Sequence, residues 1–90
     1  FYDRLTAILY SHDPVGLASM GAPEDEYDIE VDKILPQLRN VQQETLATWV
    51  YEMFVRMFGE YTVGTRAKFD AIAFDIWNAY QQWLEKPASF

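Results

Sequence analysis

Apolar residues recur at helical spacing in four successive stretches of the chain, separated by turn-forming residues. In the first, Leu5, Ile8, Leu9 and His12 fall at i, i+3, i+4 and i+7, one stripe of a short helix near 2–12. Asp13-Pro14-Val15-Gly16 ends it. Pro14 disfavours helical geometry at Asp13, and Asp first, Pro second and Gly fourth suit a type I turn. Leu17 to Pro23 reads as an ordered loop with Leu17 and Met20 as plugs.

The second stretch carries two patterns. Tyr27, Ile29 and Val31 alternate with acids, as in a strand, whereas Val31, Ile34, Leu35 and Leu38 follow the helical spacing over a longer run. A lone strand would find no partner elsewhere in the chain, so the reading is a helix over 27–40. Asp25 or Asp28 is its expected N-cap, and its first turn is acidic, which the helix dipole favours. Pro36 costs about 3 kcal/mol inside a helix and predicts a bend there, or a short second piece to Asn40.

The third stretch is the clearest. Leu46, Trp49, Val50, Met53, Phe54, Met57 and Phe58 make a wide apolar face over 43–58. Glu52 and Arg56 stand at i,i+4 in the orientation that favours a pair, and Gly59 suits the C-terminal cap. After a short loop, Thr65 is the expected N-cap of a last helix over 66–85. That helix would turn Phe69, Ile72, Ala73, Ile76, Tyr80, Trp83 and Leu84 to the core, with Phe74 and Trp77 beside them and Pro87 as its stop. Trp49, Met53, Phe69, Ala73 and Ile76 sit at the centres of the two longest stripes and are the expected core. The predicted fold is therefore all-α, a single domain of about four helices spanning 1–90.

Composition narrows the class. Aromatics make up 17% of the 90 residues, too many for a disordered acidic tail. There is no Cys, so no disulfide scaffold. Arg and Glu interrupt every long apolar run, which leaves no membrane span. Phe1 to Tyr10 carries Asp3 and Arg4 and no cleavage-site pattern, so it does not read as a signal peptide. Together these favour a cytoplasmic protein.

Fourteen acids oppose seven bases, and the charge is uneven. Glu24, Asp25, Glu26, Asp28, Glu30 and Asp32 fall within nine residues with no base among them, leaving eight acids against seven bases in the rest of the chain. A pI near 4.4 argues against nucleic-acid binding, which calls for a basic face.

Several of these segments occur together in a recognisable order: Asp13-Pro14-Val15-Gly16-Leu17, Pro23-Glu24-Asp25-Glu26-Tyr27-Asp28, Ile34-Leu35-Pro36-Gln37-Leu38-Arg39, and Tyr51 through Gly59. Over about residues 3–84 the chain resembles the YugE-like family, small bacterial proteins grouped as a domain of unknown function. The resemblance implies an all-helical fold with Pro36 tolerated inside or at the edge of the second helix, and no known activity. Met57 stands where an aromatic is expected in relatives, a mild departure because Met fills irregular gaps.

The acidic segment is the main candidate for function. One reading is a site for a basic protein partner, formed by Glu24, Asp25, Glu26, Asp28, Glu30 and Asp32 with Tyr27 as an aromatic anchor at its centre. The plainer reading is a solvated helix start, with Tyr27 closing the core beneath the Pro14 loop. A calcium loop counted from Glu24 fails, because position six is Ile29 rather than Gly and position twelve is Leu35 rather than Glu. His12 beside Asp13 can be half of an acid–base pair, though a lone His at a helix end is more commonly a capping or packed residue. One His and no Cys exclude Cys–His nucleophiles and His-rich zinc sites. No nucleophile-elbow motif surrounds Ser11, Ser19 or Ser89, and Gly16, Gly21, Gly59 and Gly64 form no phosphate-cradling pattern. Phe54, Phe74, Trp77 and Trp83 suit a dimer face or ligand groove, or, as the stronger reading, core packing.

Two classes of function follow. The first is a non-enzymatic interaction module, of the acidic immunity or antitoxin type, that binds a basic partner without cofactor or metal. The second is a small ligand-binding protein or enzyme with a pocket beside the Asp13–Pro23 loop.

Overall fold

The computed structural model describes residues 1–85, and all its regular structure is helical. Helix α1 is Tyr2–His12, α2 is Asp28–Ile34, α3 is Gln43–Phe58, α4 is a single turn Glu60–Val63, and α5 is Lys68–Glu85. Among the described residues there is no strand, so the helical spacing prevails over the alternation at Tyr27, Ile29 and Val31. Among the described residues no helix is long and apolar enough to cross a membrane.

Pro36 does what its chemistry requires. It has no N–H to give an α-helical bond, so α2 stops at Ile34 and the chain tightens into a 3-10 turn over Leu35–Gln37. Two more bonds, from the N–H groups of Asn40 and Val41 to the Gln37 carbonyl, close the piece at Asn40. The N-cap expectation does not hold. Tyr27 occupies that position and no side chain caps α2. Asp28 is instead the first helical residue, and its carboxylate is taken by the Thr6 hydroxyl of α1 at 3.0 Å. At the start of α3 the Thr45 hydroxyl accepts from the Gln42 N–H at 3.3 Å and donates to the Gln42 carbonyl at 3.1 Å.

Between α3 and α5 the expected plain loop contains α4. Gly59, at φ 86, caps α3 through its N–H on the Val55 carbonyl and starts α4 in the same step. Val63 of α4 is buried, which is what gives this one turn a place in the fold. Helix α5 begins at Lys68 rather than Arg66, after a turn through Arg66 and Ala67.

The core is built where α5 packs on α1 and α3. Leu5 and Leu9 of α1, Val31 and Ile34 of α2, Leu46, Val50, Met53 and Phe54 of α3, and Phe69, Ile72, Ala73, Ile76 and Ala79 of α5 are buried. Phe54 is its aromatic centre, 5.6 Å from Phe69, 5.8 Å from Phe58 and 6.3 Å from Tyr27. Trp49 corrects one expectation: it is only half-buried, while Met53, Phe69, Ala73 and Ile76 are core as expected. Trp83, Leu84 and Phe74 correct another, being 51%, 53% and 60% exposed. Trp83 stacks on Phe1 at 5.0 Å outside the core. Pro87 and Ser89 lie outside the described residues.

Candidate functional site

The acidic segment is positioned by a polar knot just upstream of it. Asp13 closes α1 in the left-handed conformation, φ 51, with its N–H on the Leu9 carbonyl. Its carboxylate then gathers the loop that follows. Oδ1 accepts from the Ala18 N–H at 2.8 Å and the Tyr27 hydroxyl at 2.8 Å. Oδ2 accepts from the Ser19 N–H at 3.0 Å and the Ser19 hydroxyl at 2.9 Å. The Tyr27 hydroxyl in turn accepts from the Val15 N–H at 3.3 Å. The Gly16 N–H reaches the Asp13 carbonyl at 3.1 Å, as the Asp-Pro-x-Gly turn requires.

These bonds shift both acids in the pair. Burial pushes the Asp13 carboxyl up, but the bonds from Ala18, Tyr27 and Ser19 together outweigh it and hold the group below its ordinary value. Burial, and then the bond to Asp13, push the Tyr27 phenol up. Tyr27 is fully buried, so it is not the exposed anchor of a partner surface. It closes the core beneath the Pro14 loop, with its ring on Phe54 and its hydroxyl on the knot.

The loop is strapped to the helices on both sides. Tyr10 of α1 donates to the Ala22 carbonyl at 2.9 Å, and Lys68 of α5 donates to the Pro14 carbonyl at 2.6 Å. One residue before the knot, His12 Nε2 meets Asp75 Oδ2 of α5 at 2.7 Å. That is the role of the chain's single His: it ties the end of α1 to α5 across 63 positions of sequence. Its neighbour Asp13, the partner expected from adjacency, is used by the loop instead.

Of the seven residues singled out, the structure divides the set. Glu24, Asp25, Glu26 and Asp32 are exposed and Asp28 is half-buried. Glu30 is 3% exposed, and among the described residues its Oε1 has no hydrogen-bond partner. It faces inward on α2 with Val31 and Ile34, so it leaves the candidate surface together with Tyr27. Burial is the main cause that pushes the Glu30 carboxyl above its ordinary value, with Glu26 and Asp28 adding to the shift and the backbone and Lys33 opposing it. The exposed apolar residue of the segment is Ile29, 62% exposed.

Three of the exposed or half-exposed acids line one groove. Glu24, Asp25 and Asp28 form one wall, and Asp3, Thr6, Ala7, Tyr10 and Ser11 of α1 the other, around about 380 Å³. Thr6 and Asp28 are locked together, and the Tyr2 hydroxyl donates to the Asp28 carbonyl at 3.1 Å, so α1 and the start of α2 are fixed relative to each other. Burial, with Asp32 and Asp28 nearby, raises the Tyr2 phenol to about 12. Asp3, Thr6, Tyr10 and Ser11 were not singled out from the sequence. Their placement depends on α1 lying against residues 24–28, and only the solvent-side spacing Asp3, Ala7 and Tyr10 hinted at a shared face.

Among the described residues, none of the six segment acids is in an ion pair. Arg66 is occupied with Asp70 at 2.6 Å and the Thr48 hydroxyl at 2.8 Å. The expected Glu52–Arg56 pair does not form either. Also among the described residues, no group of three or more His, Asp or Glu side chains is placed to hold a metal ion. Chemically, the groove offers four carboxylates, a phenol and two hydroxyls to a cation.

Comparison with protein-family models, with curated proteins and with solved structures returned no match to this chain.

Proposed function

We propose that this protein is a non-enzymatic interaction module whose acidic face, Glu24, Asp25, Glu26 and Asp28 with Asp3 of α1, binds a basic protein partner. The observation that carries the reading is the groove. Four acidic residues, Asp3, Glu24, Asp25 and Asp28, line about 380 Å³, and among the described residues no base is in the lining. Among the described residues none of these carboxylates is in an ion pair, so their charge is available to steer and hold a cationic side chain. A Lys or Arg entering between Asp3, Asp25 and Asp28 would find acceptors on both walls, and an apolar neighbour on the partner would meet Ile29. An acidic protein that masks a basic toxin, as immunity and antitoxin proteins do, is one form this function can take. The motifs quoted above also support placing the chain near the YugE-like family, which carries no activity to add.

A second reading keeps the same groove for a small polyamine, because Tyr10, which lines it among the acids, is held in place by its bond to the Ala22 carbonyl of the loop. The test is a paired capture experiment. Wild-type protein and a Glu24→Lys, Asp25→Lys, Glu26→Lys variant serve as baits in extract of the native host. A basic protein held by the first and lost by the second supports the partner reading. Equal capture by both baits contradicts it, and spermidine binding by the purified protein with no protein captured favours the second reading.

A further inference from the structure

A different face of the molecule reverses the chain's acidic bias. Between α2 and α3 lies a groove of about 340 Å³ lined by Lys33, Gln37, Trp49, Met53, Arg56 and Met57. Two of the chain's seven bases meet there, and no carboxylate is in the lining, although acids outnumber bases two to one. Among the described residues neither Lys33 nor Arg56 makes an ion pair or a side-chain hydrogen bond. The acid spaced to neutralise Arg56 is Glu52, one helical turn before it, and it does not do so. Glu30, one turn before Lys33 on α2, is buried and makes no ion pair with it. The floor is apolar: Met53 is buried, and Met57 and Trp49 are half-buried.

We propose that this groove binds a small organic anion. Its carboxylate or phosphate head would sit between the Arg56 guanidinium and the Lys33 ammonium, and its apolar body would lie on Trp49, Met53 and Met57. Arg supplies a planar fork of donors for an oxyanion and Lys a mobile point charge, so the pair accepts either head group. The Gln37 amide adds a donor at the rim, and the volume lies within the range of small-molecule sites. The half-burial of Trp49 has a use in this account. An indole withdrawn from the core gives the ligand a flat apolar wall. The proposal is independent of the acidic face, which lies on the α1 side of α2.

The test is a titration of the full chain with sodium benzoate, phenyl phosphate and benzyl alcohol, followed by proton–nitrogen correlation spectra. The expected result is a saturable shift of the Trp49 indole N–H and the Gln37 side-chain amide with at least one of the two anions, at a dissociation constant of about 1 mM or below. Arg56→Gln should weaken it roughly tenfold or more, added salt should weaken it further, and Arg39→Gln, a charge removed elsewhere, should leave it unchanged. Which anion binds tighter separates the carboxylate from the phosphate source. Absence of a saturable shift at Trp49, equal binding by Arg56→Gln with its spectrum otherwise native, or equal binding of benzyl alcohol would each overturn the proposal.

Discussion

Asp13 and Glu30 show how differently two carboxylates can be treated by one small fold. Asp13 sits among four donors, which hold its carboxyl below its ordinary value. Removing it takes the acceptor from the buried Tyr27 O–H, which keeps only its bond from the Val15 N–H, and frees the loop, so Asp13→Ala should cost about 2–3 kcal/mol, and Tyr27→Phe, which removes one partner only, about 1 kcal/mol in urea unfolding. A loss under about 0.5 kcal/mol for Asp13→Ala would mean the knot does not hold the loop. Because the folded value is depressed, this contribution is present above the unfolded carboxylate value and is lost as pH falls through the folded one. Glu30 has the opposite sign. Its folded value is raised, so its contribution is complete below the ordinary value of 4.5 and is lost as pH rises through the folded value. Glu30→Gln should therefore stabilise the protein at pH 7 by on the order of 1 kcal/mol, with the gain fading below about pH 4.5. Equal stability curves for the two proteins across that range would show that the carboxyl is not confined.

At the scale of elements, what could be read from the chain was what local physics decides. The stripes of α3 and α5 place Met53, Phe54, Phe69 and Ile76 correctly because each lies at the middle of a long run of helical spacing. Pro36 marked its own break. Trp49 was misplaced because the apolar face of α3 is wider than the surface α5 covers, and nothing local says which edge is left over. Phe54→Ala should thus cost about 3–5 kcal/mol and Trp49→Ala at least about 1 kcal/mol less, read by thermal or urea unfolding of the two variants side by side. Equal costs would return Trp49 to the core. Helix α4 escaped notice because four residues are too few to show a period, and only burial of Val63 defines them. Glu30 is expected at the surface, and Tyr27 in one of its two readings, for a related reason. Charged neighbours marked the segment as exposed, while the helical turn that carries Tyr27, Glu30, Val31 and Ile34 inward is set by packing on α1 and α3.

At the scale of the whole molecule, the acidic surface has shape as well as charge. The sequence shows six acids in nine residues, but not that α1 completes a groove with Asp3, Thr6 and Tyr10, because that depends on a contact between segments some twenty residues apart. The surface that emerges is smaller than the segment and better defined: Glu24, Asp25, Glu26 and Asp28, with Asp3 opposite. The most direct measurement is the association rate of the captured basic partner, followed as a function of ionic strength for wild type and for the Glu24→Lys, Asp25→Lys, Glu26→Lys variant. The account predicts a wild-type rate that falls steeply between about 50 and 300 mM salt, and a slower, nearly salt-independent rate for the variant with its circular dichroism unchanged. Identical rates and slopes for the two proteins would contradict it, and would leave these carboxylates as the solvated start of a helix.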